Sequence, residues 1–213
     1  MTEIQKLDLK KDLKDLYNPS AKAVNIVDVP QMNFLMIDGQ GDPNTADVYQ
    51  QALEALYGLG YTLKFDSKRE VGIDYPVMPL EGLWWMEDMG EAYGDLDFTA
   101  DKSLWLWTMM IMQPAHITAA MVESATETLR RKKNPPALGL IRFETFYEGL
   151  SAQVMHIGPY SAEKPTIDRL HAYIVENGGT ARGRHHEIYL SDPRRSDPQK
   201  LKTVIRQPMT APV

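Results

Sequence analysis

The sequence predicts an α+β fold in which one strand-helix-strand-strand unit is used twice, and three pairs of matching segments predict it. FLMIDGQG (34–41) corresponds to AQVMHIGPY (152–160), EGLWW (81–85) to HEIYL (186–190), and MIMQP (110–114) to VIRQP (204–208), in the same order in both halves. Each half also carries one stretch of helical periodicity that closes on glycine. The expected architecture is two pseudo-symmetric modules forming a curved antiparallel sheet, with helices on one face and a ligand groove on the other. The chain divides into an N-terminal arm over 1–20 and a single domain over 21–213. That domain consists of repeats 21–114 and 138–211, joined by a linking helix over 115–134.

Each element has its own signal. Residues 1–20 alternate Lys, Asp and Leu, and Leu7, Leu9, Leu13 and Leu16 make a short amphipathic stripe suited to a peripheral arm. From Val24 the pattern turns to strand, and the apolar run Phe34–Ile37 stops at Gly39 and Gly41, read as a turn or bulge. A helix over 45–58 follows, with Asn44 or Thr45 as N-cap and Val48, Ala52, Leu53, Ala55 and Leu56 at helical spacing. Gly58 and Gly60 stop it, and Tyr61–Phe65 is a strand. A passage rich in Pro and Gly leads into EGLWW, and 87–101 is an acidic loop or short helix. SLWLWTMMIMQP (103–114) is continuously apolar and reads as a central strand. The linking helix ends at Asn134-Pro135-Pro136. The second half gives two short strands closing on Gly158-Pro159, then a helix over 162–177 with Ile167, Leu170, Tyr173 and Ile174 on one side. The strands HEIYL and LKTVIRQPM complete it.

Composition narrows the function classes. The chain has no cysteine, which removes disulfides, thiolate catalysis and a zinc ribbon, and fits a reducing compartment. The charged N-terminus has no apolar leader core, and no run reaches membrane-spanning length, so a soluble, cytoplasmic protein without a membrane partner is expected. A net charge of −6 argues against a nucleic-acid partner. The basic clusters RRKK (130–133) and PRRSD (193–197) read as solvated loop charge.

Strand parity selects the candidate site. If Ile188 and Leu190 are buried under the helix, His185, Glu187 and Tyr189 face the groove. In EGLWW, Glu81 and Trp85 share a face with Leu83, while Trp84 lies opposite and reads as core. Trp105 and Trp107 fall together, away from Leu104 and Leu106, and line the groove if the leucines are core. His156 sits on a neighbouring strand and Tyr160 just beyond it. A carboxylate in the middle of an apolar strand is costly to bury without a purpose, which singles out Glu187. Desolvation by the aromatic side chains is expected to raise its pKa toward that of a general base. Aromatic planes with a few fixed carboxylates suit planar or cationic amphipathic small molecules. His156, His185 and Glu187 are the types of a two-histidine, one-carboxylate metal triad, but histidines on half-buried strands are usually structural, and no metal or cofactor is expected. GQG (39–41) lacks the later glycine of a dinucleotide loop. No Ser-His-Asp arrangement has a recognisable local context.

HIGPY (156–160) before a helix, and HEIYLSDPRRSDPQKLKTVIRQPM (186–209) at the end, resemble the GyrI-like small-molecule-binding domain family. The resemblance extends over roughly residues 20–211 once the weaker first repeat is included. It implies two strand-helix-strand-strand modules around a ligand groove, with Glu187 at the position of a ligand-contacting glutamate. Transcription activators of the family carry a DNA-binding helix-turn-helix, and none can be placed in the first 20 residues. In this respect the chain resembles those stand-alone members of the family that hydrolyse cyclopropanoid DNA-alkylating compounds. For this chain the resemblance therefore implies ring opening by water, with Glu187 as general base and Tyr147, Tyr160 or Tyr189 donating to the developing oxyanion, Tyr147 being named with Glu187 as the catalytic pair. The other implied function is a non-catalytic binding or sequestering module, as a monomer or homodimer.

Overall fold

The computed structural model describes residues 4–87 and 101–211. Among them, the N-terminal arm holds β1 (Gln5–Lys6), α1 (Leu9–Asp12) and α2 (Lys14–Tyr17). The first half then follows as β2 (Asn25–Val29), β3 (Met32–Gln40), α3 (Asp47–Asp66), β4 (Ile73–Asp74), β5 (Leu80–Trp85) and β6 (Leu106–Gln113). After the linking helix α4 (Ala119–Lys132) come β7 (Arg142–Phe146), β8 (Gly149–Ile157), α5 (Lys164–Glu176), β9 (His185–Tyr189) and β10 (Lys202–Pro208). The insert expected over 87–101 falls almost wholly on residues 88–100, outside the described residues.

Eight strands form one antiparallel sheet in the order β2-β8-β10-β9-β5-β6-β3-β7. The order reads symmetrically from the centre. There β5 and β9 pair from Leu80↔Tyr189 to Trp84↔His185, flanked by β6 and β10 and then by β3 and β8. The outermost strands are exchanged: β2 of the first half pairs with β8, and β7 of the second half pairs with β3. Each module thus needs the other to complete its edge, and the two modules share one sheet.

Helix α3 corrects three expectations. It does not stop at Gly58 and Gly60 but continues to Asp66 and into a π-helical turn over Ser67–Val71, so 61–65 is helix and not strand. Gly72, at φ +76°, ends it. The helix tolerates Gly58 because α4 comes close: a Cβ there would stand 3.1 Å from Leu129 Cδ2. Leu56, Leu59 and Leu63 supply the burial that outweighs glycine's low propensity. The helix also starts later than expected, at Asp47 with Ala46 in the N-cap position, because Asn44 is held in a turn by Asp42. Gly39 is not a turn either. It lies inside β3 opposite Trp107, and the chain turns at Gly41, where φ is +114°.

The arm is not peripheral. Leu16 and Tyr17 are buried, and Arg206 Nη2 donates to the Leu16 carbonyl at 2.8 Å.

Residues directly opposite on neighbouring antiparallel strands share a face. The register therefore puts Trp107, Trp84, His185, Glu187 and Tyr189 on one face with Thr203, Ile205, Val154 and His156. Helix α5 packs on that face through Ile167, Leu170 and Ile174, against Val154 and Ile205. Tyr49 in the first turn of α3 meets Trp84 and Trp107 on the same face. The alternation expected in HHEIYL is present, but both helices pack on the Glu187 side of the sheet and not on the Ile188 side. Ile188 faces the other way and belongs to one core cluster with Leu16 and Tyr17 of the arm. The arm supplies the burial that the sequence reading assigned to a helix.

Candidate active site

Strand β9 places Glu187 at the middle of the sheet with its side chain between the helices. Its register partner on β5 is Gly82, whose lack of a side chain lets Met109 and Trp84 pack against the backbone there; a Cβ on Gly82 would stand 2.5 Å from Met109 Cε and 2.8 Å from Trp84 Nε1. Glu187 Oε1 lies 3.1 Å from His185 Nε2. Glu187 Oε2 accepts the Tyr189 hydroxyl at 2.7 Å, and that hydroxyl accepts from Trp84 Nε1 at 3.0 Å. Only 8% of Glu187 is exposed, yet it is well solvated by protein donors. Burial works to raise its pKa, but the hydrogen bond and charge of His185, with the Tyr189 hydroxyl and the charge of His186, outweigh it, and the net shift is downward. The expected upward shift is therefore reversed, because the donors over-compensate the desolvation.

The aromatic side chains form a packed cluster. Trp84 lies 6.2 Å from Tyr49 and 5.6 Å from Trp105, and Trp107 meets Tyr49 edge-on at 5.3 Å. Trp105 and Trp107 are on the Glu187 face, as parity required, but both are buried, Trp107 to 1% exposure. They are packed into the core on that face and are not an open wall. Tyr160, by contrast, is 40% exposed and meets Tyr189 edge-on at 5.7 Å. Burial, then the charges of Glu163 and Glu187, push its hydroxyl up to about 12, so it is a proton donor at neutral pH.

Sequence reasoning missed Glu163. Glu163 occupies the N-cap position of α5 and is 3% exposed, yet its side chain does not cap the helix. Burial, followed by the adjacent charge of Glu187, pushes it up to about 10. Two carboxyl groups side by side at low dielectric cannot both ionise. Glu187, with its two donors, is the carboxylate, and Glu163 is the acid. An acidic residue just before a helix reads as an ordinary electrostatic preference in sequence, which hid it. Trp84 is core, as its parity predicts, at 4% exposure, and the β5–β9 register, which neither strand alone reveals, also brings it beside His185.

The remaining candidates lie elsewhere. His156 is on the groove face, with Nδ1 3.0 Å from Thr166 Oγ1. Tyr147 is 64% exposed and borders a different pocket, of about 200 Å³, with Leu83, Glu148 and Arg182. The structure does not bring it to Glu187, since its pocket partner Leu83 pairs with His186 on the opposite face of the sheet. Trp85 pairs with Leu106 on the opposite face, where the Arg184 guanidinium lies 3.5 Å above its ring. Glu81 is also on that face, wholly buried. It accepts the Tyr17 hydroxyl at 2.7 Å and faces His186 Nε2 at 3.1 Å. His186 Nδ1 is 2.9 Å from Glu148, which Arg206 Nη1 contacts at 3.0 Å. Burial alone would lower His186, but the charge of Glu148 and the two carboxylate hydrogen bonds raise it to about 9. Burial alone would raise Glu148, but His186 and Arg206 hold it at about 2. Two buried ionic clusters thus lie back to back, one on each face of β9.

Among the described residues no group of three His, Cys, Asp or Glu is arranged to hold a metal ion, and no helix is long and apolar enough to cross a membrane.

Comparison with known proteins gives the family. The model of the GyrI-like small molecule binding domain matches residues 22–209. An uncharacterized conserved protein from Listeria innocua has a solved structure similar to this one, with a TM-score of 0.87 and 37% identity over 96% of this chain and 100% of that one. A hydrolase from Listeria innocua is similar at a TM-score of 0.83 and 36% identity, again over 96% and 100%. The C-terminal domain of EcmrR shares the fold at a TM-score of 0.53 and 11% identity, over 89% of this chain and 98% of that one. No curated protein matches the chain. The protein belongs to the family of GyrI-like small-molecule-binding domains.

Proposed function

We propose that the protein takes a flat, amphipathic, electrophilic small molecule between α3 and α5 and opens its strained ring with water, the substrate class being the cyclopropanoid DNA-alkylating compounds. The observation that carries this reading is the pairing of an ionised Glu187 with a neutral Glu163 in an aromatic, nearly dry site. This separates a base from an acid without a metal ligand set. The similarity to a hydrolase from Listeria innocua supports the reaction class.

In the proposed step, water attacks the cyclopropyl methylene carbon while Glu187 accepts its proton. The new carbon–oxygen bond forms as the carbon–carbon bond of the three-membered ring breaks. The released electron pair runs through the dienone to its oxygen, which Tyr160 stabilises by donating a hydrogen bond. A solvent proton then completes the phenol, and Glu187 returns its proton to solvent. Tyr160 suits this role better than Tyr189, whose hydroxyl is spent on Glu187. Exclusion of water around the aromatic cluster strengthens both electrostatic interactions. Release of ring-opened product in excess of protein, followed by mass spectrometry, tests the proposal. Uptake that stops at one compound per chain without ring opening would leave a binding module instead.

A further inference from the structure

Two buried polar atoms beside Glu187 have no hydrogen-bond partner among the described residues: Glu163 Oε1 and Thr203 Oγ1. Both belong to residues that are nearly or wholly inaccessible, at 3% and 0% exposure. They reach the groove from different elements. Thr203 is on β10, directly opposite Tyr189 on the face that carries Glu187, and Glu163 comes down from the start of α5. Glu163 is hydrogen-bond linked to both Thr203 and Glu187, yet neither its Oε1 nor the threonine hydroxyl makes a hydrogen bond of full geometry among the described residues. Leaving such atoms unsatisfied in a dry interior costs on the order of 1–3 kcal/mol each. Buried polar groups that lie together without a fully formed hydrogen bond are the usual seat of an ordered water.

We propose that Glu163, Thr203 and Glu187 together hold the attacking water, which makes Glu163 and Thr203 catalytic residues in addition to Glu187. The water donates one hydrogen to the Glu187 carboxylate and the other to Glu163 Oε1, and it accepts the Thr203 hydroxyl. One of its lone pairs is then left to point into the groove. As the oxygen bonds to the substrate carbon, the proton facing Glu187 passes to that carboxylate. Glu163 contributes as a neutral acid: its carbonyl oxygen orients the water, and its own O–H is directed at Glu187. An ionised Glu163 would compete with Glu187 for the same proton and repel it. The chemistry assigned to this water rests on the hydrolytic reading, but its position does not.

The test compares high-resolution crystal structures and single-turnover ring opening for the wild type, Glu163→Gln, Glu163→Ala and Thr203→Val. Glutamine keeps a neutral carbonyl oxygen and a donor toward Glu187, whereas alanine removes both. An ordered water between residues 163, 187 and 203 is expected in the wild type and in Glu163→Gln, and it is lost or displaced in Glu163→Ala. Ring opening falls about 10-fold or more in Glu163→Ala, returns in large part in Glu163→Gln, and falls in Thr203→Val without loss of binding. If Glu163→Ala does not fold, Thr203→Val carries the same comparison. A wild-type site without the water overturns the assignment, and so does a water that persists in Glu163→Ala with unchanged ring opening. A water present as described in a protein that never opens the ring sinks the hydrolytic reading and leaves the water site standing.

Discussion

Tyr17 donates its hydroxyl to Glu81 Oε1 at 2.7 Å, joining residues 64 positions apart and fastening the N-terminal arm to the centre of the sheet. Both partners are buried, so the bond is made where no water can replace it. Tyr17→Phe keeps the ring in place and leaves Glu81 with His186 alone. The expected cost is about 1–3 kcal/mol in denaturant unfolding. A loss within error would mean that the arm is held by its leucines and not by this bond.

The cluster behind β9 sets a pH window for stability. Glu148 falls from 4.5 to about 2 on folding, so its contribution is complete above 4.5 and is lost as pH falls toward 2. His186 rises from 6.5 to about 9, so its contribution is complete below 6.5 and is lost as pH rises through 9. Both are in force between 4.5 and 6.5. Glu163, raised to about 10, acts in the same direction as His186 on the alkaline side, since a group held protonated by folding loses stability as pH rises from 4.5. Thermal unfolding is therefore expected to peak in mildly acidic buffer. Glu163→Gln should raise the melting temperature above pH 7, with a gain exceeding about 1 kcal/mol. A stability maximum above pH 8 would contradict this assignment of charges.

The repeated motifs made the architecture legible, because matching strands and helices in the same order imply the same module twice. The face occupied by the helices was not legible. Alternation in HHEIYL separates Glu187 from Ile188, but which side carries helices depends on α5 closing over Val154 and Ile205, on the two strands to one side of β9. Glu187 was visible as a charge stranded in an apolar strand. Its partner Glu163 was invisible, since a solvated helix start and a buried one look alike in sequence. The arm failed for a related reason: its leucines were read correctly as a stripe, but Tyr17 gave no sign of a carboxylate 64 positions away.

Gly39 and Trp107 form a matched pair across β3 and β6. A Cβ on Gly39 would stand 2.1 Å from the indole Cη2, so no side chain larger than hydrogen fits while the tryptophan remains. Trp107→Ala should cost about 3–5 kcal/mol of folding, as a core deletion does. Gly39→Ala should cost about 1–3 kcal/mol or more by overpacking. Combined with Trp107→Leu, Gly39→Ala should cost less than the sum of the two single changes, a coupling read directly from a double-mutant cycle. Additive costs would show that the two do not share the space.

Glu187→Gln tests the chemical centre of the groove. The amide keeps the shape and can still accept from Tyr189, so ligand binding should survive for neutral planar compounds. It cannot take a proton from water, and turnover should fall by about 10² or more. The pH dependence distinguishes this site from an ordinary buried glutamate. A carboxyl raised by burial would lose its base form on the acid side of neutrality. Here His185, Tyr189 and His186 lower Glu187 below its ordinary 4.5, so the base form persists through mildly acidic pH. Ring opening by the wild type should stay flat from pH 7 down toward 5 and decline only below that, provided the fold holds. His185→Ala removes one of the donors to Glu187 and should move the acid limb upward while leaving the limiting rate closer to the wild type than Glu187→Gln does. An acid limb near pH 7 in the wild type, unmoved by His185→Ala, would show that Glu187 is not the base.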